Sequence, residues 1–153
     1  MTILETAIMF KGNNLSEVNF YSSKDNLSDG DRNFLSKTIN VLVKSDFGEK
    51  IHKFSMGKNK ILIKLRNLEI VDENSEEKSN NVLVIYCIAE KKEEEKHVNK
   101  CMNETLTQFL NKFSINDITT KKPNKFKSFN QQLKKNFLNI ALKPEDRFKS
   151  IIF

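Results

Sequence analysis

The sequence predicts an α+β fold: a five-stranded antiparallel sheet with one helix on one face and two on the other, in the order ββαβββαα. Three observations predict it. Residues 82–89, VLVIYCIA, are apolar or nearly so at every position, and a strand of that kind needs cover on both faces. Two glycine turns, KGNN at 11–14 and MGKNK at 56–60, each separate a pair of apolar stretches, as hairpin loops do. Three other segments carry apolar residues at steps of three and four, which is helical spacing.

In chain order, residues 1–10 (MTILETAIMF) form a strand almost as apolar as 82–89 and its natural neighbour. After the first turn, Val18 and Phe20 alternate with Asn19 and Tyr21, the period of a second strand. LSDGDR then opens a helix over 30–47: Ser28 or Asp29 caps it, Asp31 suits its first turn, and Gly48 closes it. Leu35, Ile39, Leu42 and Val43 supply its apolar face. Residues 50–56 (KIHKFSM) are about half apolar and read as an exposed edge strand. Beyond Gly57, Ile61, Ile63 and Leu65 alternate with Leu62, Lys64 and Arg66. The polar loop DENSEEKSNN precedes the run 82–89, which is too short for an ordinary core helix and rich in Val and Ile. Val98, Met102, Phe109, Leu110 and Phe113 lie on one side of a second helix. Phe126, Phe129, Leu133, Phe137 and Ile140 mark a third, bracketed by Pro123 and Pro144. The first helix joins the two hairpins and crosses one sheet face. The final pair fills the other.

At 153 residues, without a repeat or a Gly/Ser linker, the chain has the size of one domain. Its net charge of +6 is uneven: residues 121–153 hold nine Lys/Arg against two acids, so the first 120 residues carry a net −1. The basic character belongs to the C-terminal third. No apolar stretch approaches the roughly 20 residues of a membrane span. The N-terminus lacks the basic leader and small-residue cleavage site of a signal peptide. Cys87 and Cys101 do not make a disulfide framework, and a reducing, cytoplasmic setting is expected.

Motifs for chemistry are sparse. His97 and Cys101 stand four apart on a helix, with His52 and Cys87 as conceivable further metal ligands. No CxxC or HExxH pattern supports them, so core cysteines and surface histidines are expected, with no metal or other cofactor. No GxSxG or P-loop occurs. Glu93, Glu94 and Glu95 fall in a mixed charge run beside Lys91, Lys92 and Lys96, which reads as a solvated helix start. A non-enzymatic role is expected. Lys127, Lys134 and Lys135 lie away from the Phe126–Ile140 stripe and are expected to be its solvated side, a surface that can also meet anionic lipid or the acidic face of a protein. No nucleic-acid module is recognisable, which disfavours nucleic acid as the partner. The closing RFKSIIF ends on three large apolar residues, expected to pack against the domain or a partner.

This order of elements, with TAIMFKGNN entering a tight turn, DRNFLSKTINVLVKSDFG as first helix, VLVIYCIAEK leading into VNKCMNETLTQFLNKFS, and a final FKSFNQQLKKNF, resembles the longin domain. The pattern is similar to small adaptor chains and to the N-terminal domain of the signal-recognition-particle receptor α subunit. No heptad helix with an anchor and no GTPase follows here, so the resemblance implies a free-standing longin domain rather than a SNARE. It further implies a non-enzymatic adaptor or a platform for a Ras-like or Arf-like small GTPase in membrane traffic. The partner would be that GTPase or another longin-type protein, as homodimer or heterodimer, with the domain peripheral to membranes. The contacts expected are His52, Lys53 and Phe54 on the edge strand, with the adjoining first helix. The alternative is a basic domain that binds anionic membrane or nucleic acid through its last third.

Overall fold

The computed structural model describes residues 3–20, 28–44, 50–68, 81–91 and 95–141, with the side chains of 139–141 left aside. Five strands, β1 (Ile3–Phe10), β2 (Asn13–Asn19), β3 (His52–Met56), β4 (Asn59–Asn67) and β5 (Val82–Glu90), form one antiparallel sheet. Its order across is β2-β1-β5-β4-β3. The last strand in sequence is therefore the middle one, and Ile85 stands between Ile8 of β1 and Lys64 of β4.

The apolar run at 82–89 is explained by two cores. Val82, Val84, Tyr86 and Ile88 face helix α1 (Asp29–Lys44), whose Leu35, Ile39 and Leu42 pack with Ile61, Ile63 and Leu65 of β4. Leu83, Ile85, Cys87 and Ala89 face the opposite way. There they meet helices α2 (Glu95–Lys112), α3 (Ile115–Thr120) and α4 (Asn130–Ala141), with a 3₁₀ segment, Pro123–Phe129, before the last. Phe109 lies 5.2 Å from Phe129 and 5.8 Å from Phe126 between ring centroids, and Phe113 lies 4.9 Å from Phe126. Each buried ring contributes roughly 1.5–3 kcal/mol, so this cluster fixes the C-terminal helices to the sheet.

The C-terminal half differs from the sequence expectation in two ways. The third predicted helix begins as 3₁₀ and becomes α at Asn130. Its apolar spacing follows that change. Phe126 and Phe129 are three apart, the repeat of a 3₁₀ turn, whereas Phe129, Leu133 and Phe137 are four apart. Pro123 opens the segment at a first-turn position, where its missing N–H removes nothing. The unexpected α3 is a capping-box helix: Ser114 Oγ accepts from the Asp117 amide at 3.0 Å while Asp117 Oδ2 accepts from the Ser114 amide at 3.3 Å.

At α1, the cap is Ser28, whose Oγ accepts from the Asp31 amide at 3.1 Å. The two hairpin loops differ. Lys11 and Gly12 both take positive φ, 48° and 80°, as a type I′ loop demands. At the second loop Gly57 alone does, at 58°. The expectations for Tyr21, Gly48, most of DENSEEKSNN, Lys92, Glu93, Glu94, the Ile140 side chain, Pro144 and RFKSIIF lie outside the described residues.

Candidate partner-binding groove

The sheet has two edges, and they are treated differently. Along β2, Asn130 at the start of α4 lies against the outer side: its Oδ1 accepts from Ser16 Oγ at 2.7 Å and from the Glu17 amide at 3.0 Å. A side chain thus occupies backbone that would otherwise face a new strand. At the other edge, β3 pairs among the described residues only with β4. The two-residue loop makes Met56 and Asn59 a hydrogen-bonded pair, so Phe54 with Ile61 and His52 with Ile63 follow. The amide and carbonyl groups of Lys53 and Ser55 then point outward, with no partner among the described residues. Open backbone of this kind is a site for strand addition.

Beside that edge lies a groove of about 640 Å³ between α1 and β3, lined by Phe34, Thr38, Val41 and Leu42 of the helix, by His52 and Phe54 of the strand, and by Lys37 and Lys50. Phe34 is 43% exposed and Val41 58%. These are two of the three large apolar side chains among the described residues that stand open to solvent. The Thr38 hydroxyl is satisfied within the helix, donating to the Phe34 carbonyl at 2.7 Å, so it brings no unmet donor to the groove. Leu42 forms part of the floor and is buried. Among the described lining residues there is no acid, and Lys37 and Lys50 are the charged ones.

His52 and Phe54 thus share one face with α1, as the alternation of a strand requires. Lys53 does not join them. It points to the opposite face and pairs with Glu95 at the start of α2, Nζ to Oε1 2.5 Å. Hydrogen bonding from Lys53 holds the Glu95 carboxyl below its usual range. Lys53 therefore ties the edge strand to α2 and leaves the groove to its two neighbours. The helical stripe Leu35, Ile39, Leu42 and Val43 does not contain Phe34 and Val41. The signal was present as a second stripe one residue earlier, 34–38–41.

A second depression, about 350 Å³, lies on the same sheet face against the other side of α1, with Asn14, Glu17, Arg32, Ser36 and Tyr86 in its wall. Its groups are largely committed to each other. The Arg32 guanidinium donates to Glu5 Oε1 at 2.7 Å and Oε2 at 3.2 Å. The Tyr86 hydroxyl donates to Oε2 at 2.8 Å, and Asn14 Nδ2 donates to Glu17 at 2.8 Å. Burial, with the nearby Glu5 charge and the hydrogen bond to it, raises the Tyr86 pKa strongly. The phenol stays protonated and serves as a donor. This network fastens α1 to β1 and β5, and so sets one wall of the groove.

The remaining site candidates do not converge. His52 lies in register with Ile63 and Tyr86, on the α1 face, while Cys87 aligns with Leu62 and Lys53 on the other. Cys101 packs in the core with Cys87, its thiol donating to the Asn136 carbonyl at 3.1 Å and pushed up to about 12 by burial. His97 is exposed on α2. Among the described residues no three His, Cys, Asp or Glu side chains gather in a way that would hold a metal. Lys127, Lys134 and Lys135 are exposed on the 3₁₀ segment and α4, far around the fold from the α1 groove and on the opposite side of the sheet. No helix among the described residues is long and apolar enough to cross a membrane. Neither a family model nor a curated protein matches this chain.

Proposed function

We propose that the protein is a non-enzymatic binding module of the longin type, which docks a small Ras-like or Arf-like GTPase, or another longin-type protein, through the α1/β3 groove. The observation that carries this reading is the pairing of an apolar groove with a sheet edge whose outward backbone has no partner among the described residues, while Asn130 engages the other edge at Ser16 and Glu17. A partner strand laid along β3 would take main-chain hydrogen bonds from Lys53 and Ser55 and place alternate side chains against Phe34, Val41 and Phe54. The order of elements, with β5 in the middle of the sheet, α1 on one face and the later helices on the other, supports the longin comparison over the described chain. A second copy of the protein is a partner of the same kind, since an open edge can pair with itself.

The test uses Phe34→Glu and Val41→Glu. Both residues stand partly open to water, so the charge is tolerated by the fold, yet it would be buried in the complex. Affinity for GTP-loaded Ras-like and Arf-like GTPases and for longin-type proteins is measured by calorimetry, and self-association by analytical ultracentrifugation. We expect either substitution to weaken the bound partner at least tenfold, as for an unpaired charge placed in an interface, with an unchanged melting temperature. Binding that ignores both substitutions would remove the groove from the function.

A further inference from the structure

We infer that the exposed face of the 3₁₀ segment and α4 is a docking surface for an anionic lipid bilayer, separate from the groove. Residues 121–141 contain six lysines and no acid. The other long helices mix their signs: α1 carries Asp29, Asp31, Arg32, Lys37 and Lys44, and α2 carries Glu95, Lys96, Lys100, Glu104 and Lys112. A helix that is merely solvated usually intersperses both signs. This one does not.

The geometry sorts the lysines into rows. Phe126, Phe129, Leu133 and Phe137 all point into the core and are essentially buried. With about 120° per residue in the 3₁₀ turn and 100° in α4, Lys127 and Lys134 fall along one line. Lys125 and Lys135 fall along a second, further round. All four are exposed. Lys121 is engaged by Asp117 at 3.2 Å, but Lys122, Lys125, Lys127, Lys134 and Lys135 make no ion pair among the described residues. Between them the surface shows Asn124, Ser128 and Gln131.

That composition selects among anionic partners. A nucleic-acid strand would need aromatic rings to stack its bases, and the three Phe rings here are turned inward. A stable protein interface would need an apolar centre, and none of the exposed large apolar residues among those described belongs to this face. A single-sign, polar face instead fits the surface potential of a bilayer, where several lysines act additively without a pocket. It lies across the sheet from α1. A protein so bound would hold its groove toward the aqueous side, open to a partner.

The experiment is co-sedimentation with phosphatidylcholine vesicles, pure or about one-third phosphatidylserine, with a labelled DNA duplex and a single-stranded RNA as parallel ligands. The variants are the pairs Lys127→Gln with Lys134→Gln, Lys125→Gln with Lys135→Gln, and Lys37→Gln with Lys50→Gln on the groove side. We expect binding only to the phosphatidylserine vesicles, lowered about fivefold for each lysine neutralised on α4 and the 3₁₀ segment, and untouched by the groove-side pair. Absence of phosphatidylserine-dependent binding overturns the inference, as does tighter binding to either nucleic acid. Equal losses from the groove-side pair also overturn it, because net charge alone would then account for the effect.

Discussion

At the scale of single residues, the Glu5–Arg32–Tyr86 triad is the most consequential polar arrangement in the described protein. Glu5 is 9% exposed, and a carboxylate so placed requires partners. It has three hydrogen bonds, two from Arg32 and one from Tyr86. Removing the hydroxyl in Tyr86→Phe should lower stability by about 1 kcal/mol in urea unfolding, since Arg32 still satisfies the acid. The pH dependence has a definite sign. The phenol pKa is raised in the folded protein, so the unfolded chain loses its proton first. Stability should therefore fall as pH rises above about 10, and Tyr86→Phe should flatten that decline. An identical alkaline slope in the two proteins would mean that the hydroxyl is not held as described. Sequence patterning shows Tyr86 only as one more member of an apolar run. Its polar role depends on Glu5, 81 positions away, and no local period encodes that distance.

At the scale of elements, the contrast between the two sheet edges rests on Asn130. It stands at the junction of the 3₁₀ segment and α4, and one carboxamide oxygen serves both Ser16 and Glu17. Asn130→Ala should destabilise the protein by about 1–2 kcal/mol and expose the backbone of β2, which ultracentrifugation would register as increased self-association. A variant that stays as stable and as monodisperse as the wild type would show that α4 covers β2 without this side chain. The existence and type of the strands and long helices were legible because their periods are clean: alternation in β4, continuous apolarity in β5, steps of three and four in α1. The middle placement of β5 followed from the same run. The α3 helix was not legible from periodicity, since it buries only Ile118 and is defined by its cap. The candidate groove was half legible. His52 and Phe54 were visible as an edge, but Lys53 was grouped with them by sequence proximity, and a strand sends neighbours to opposite faces.

At the scale of the whole molecule, the sheet separates two surfaces of different chemistry: an apolar groove beside α1, and a lysine-rich helical face on the far side. They share no residue. If each serves its own partner, substitutions should act independently, as expected for distant sites. Val41→Glu should leave vesicle binding unaltered, and the Lys127/Lys134 glutamine pair should leave the protein partner's affinity unaltered. Added salt should weaken the first contact steeply and the second little. Strong coupling in either direction would indicate one continuous interface. The sheet order carries a further consequence for how the chain comes to exist. The hairpins β1–β2 and β3–β4 do not pair with each other, and only β5 joins them. A growing polypeptide holds two unfinished ribbons until residue 90 has cleared the ribosome. Assembly must wait for the late arrival of that keystone, and any product halted before it should have no partial sheet worth keeping.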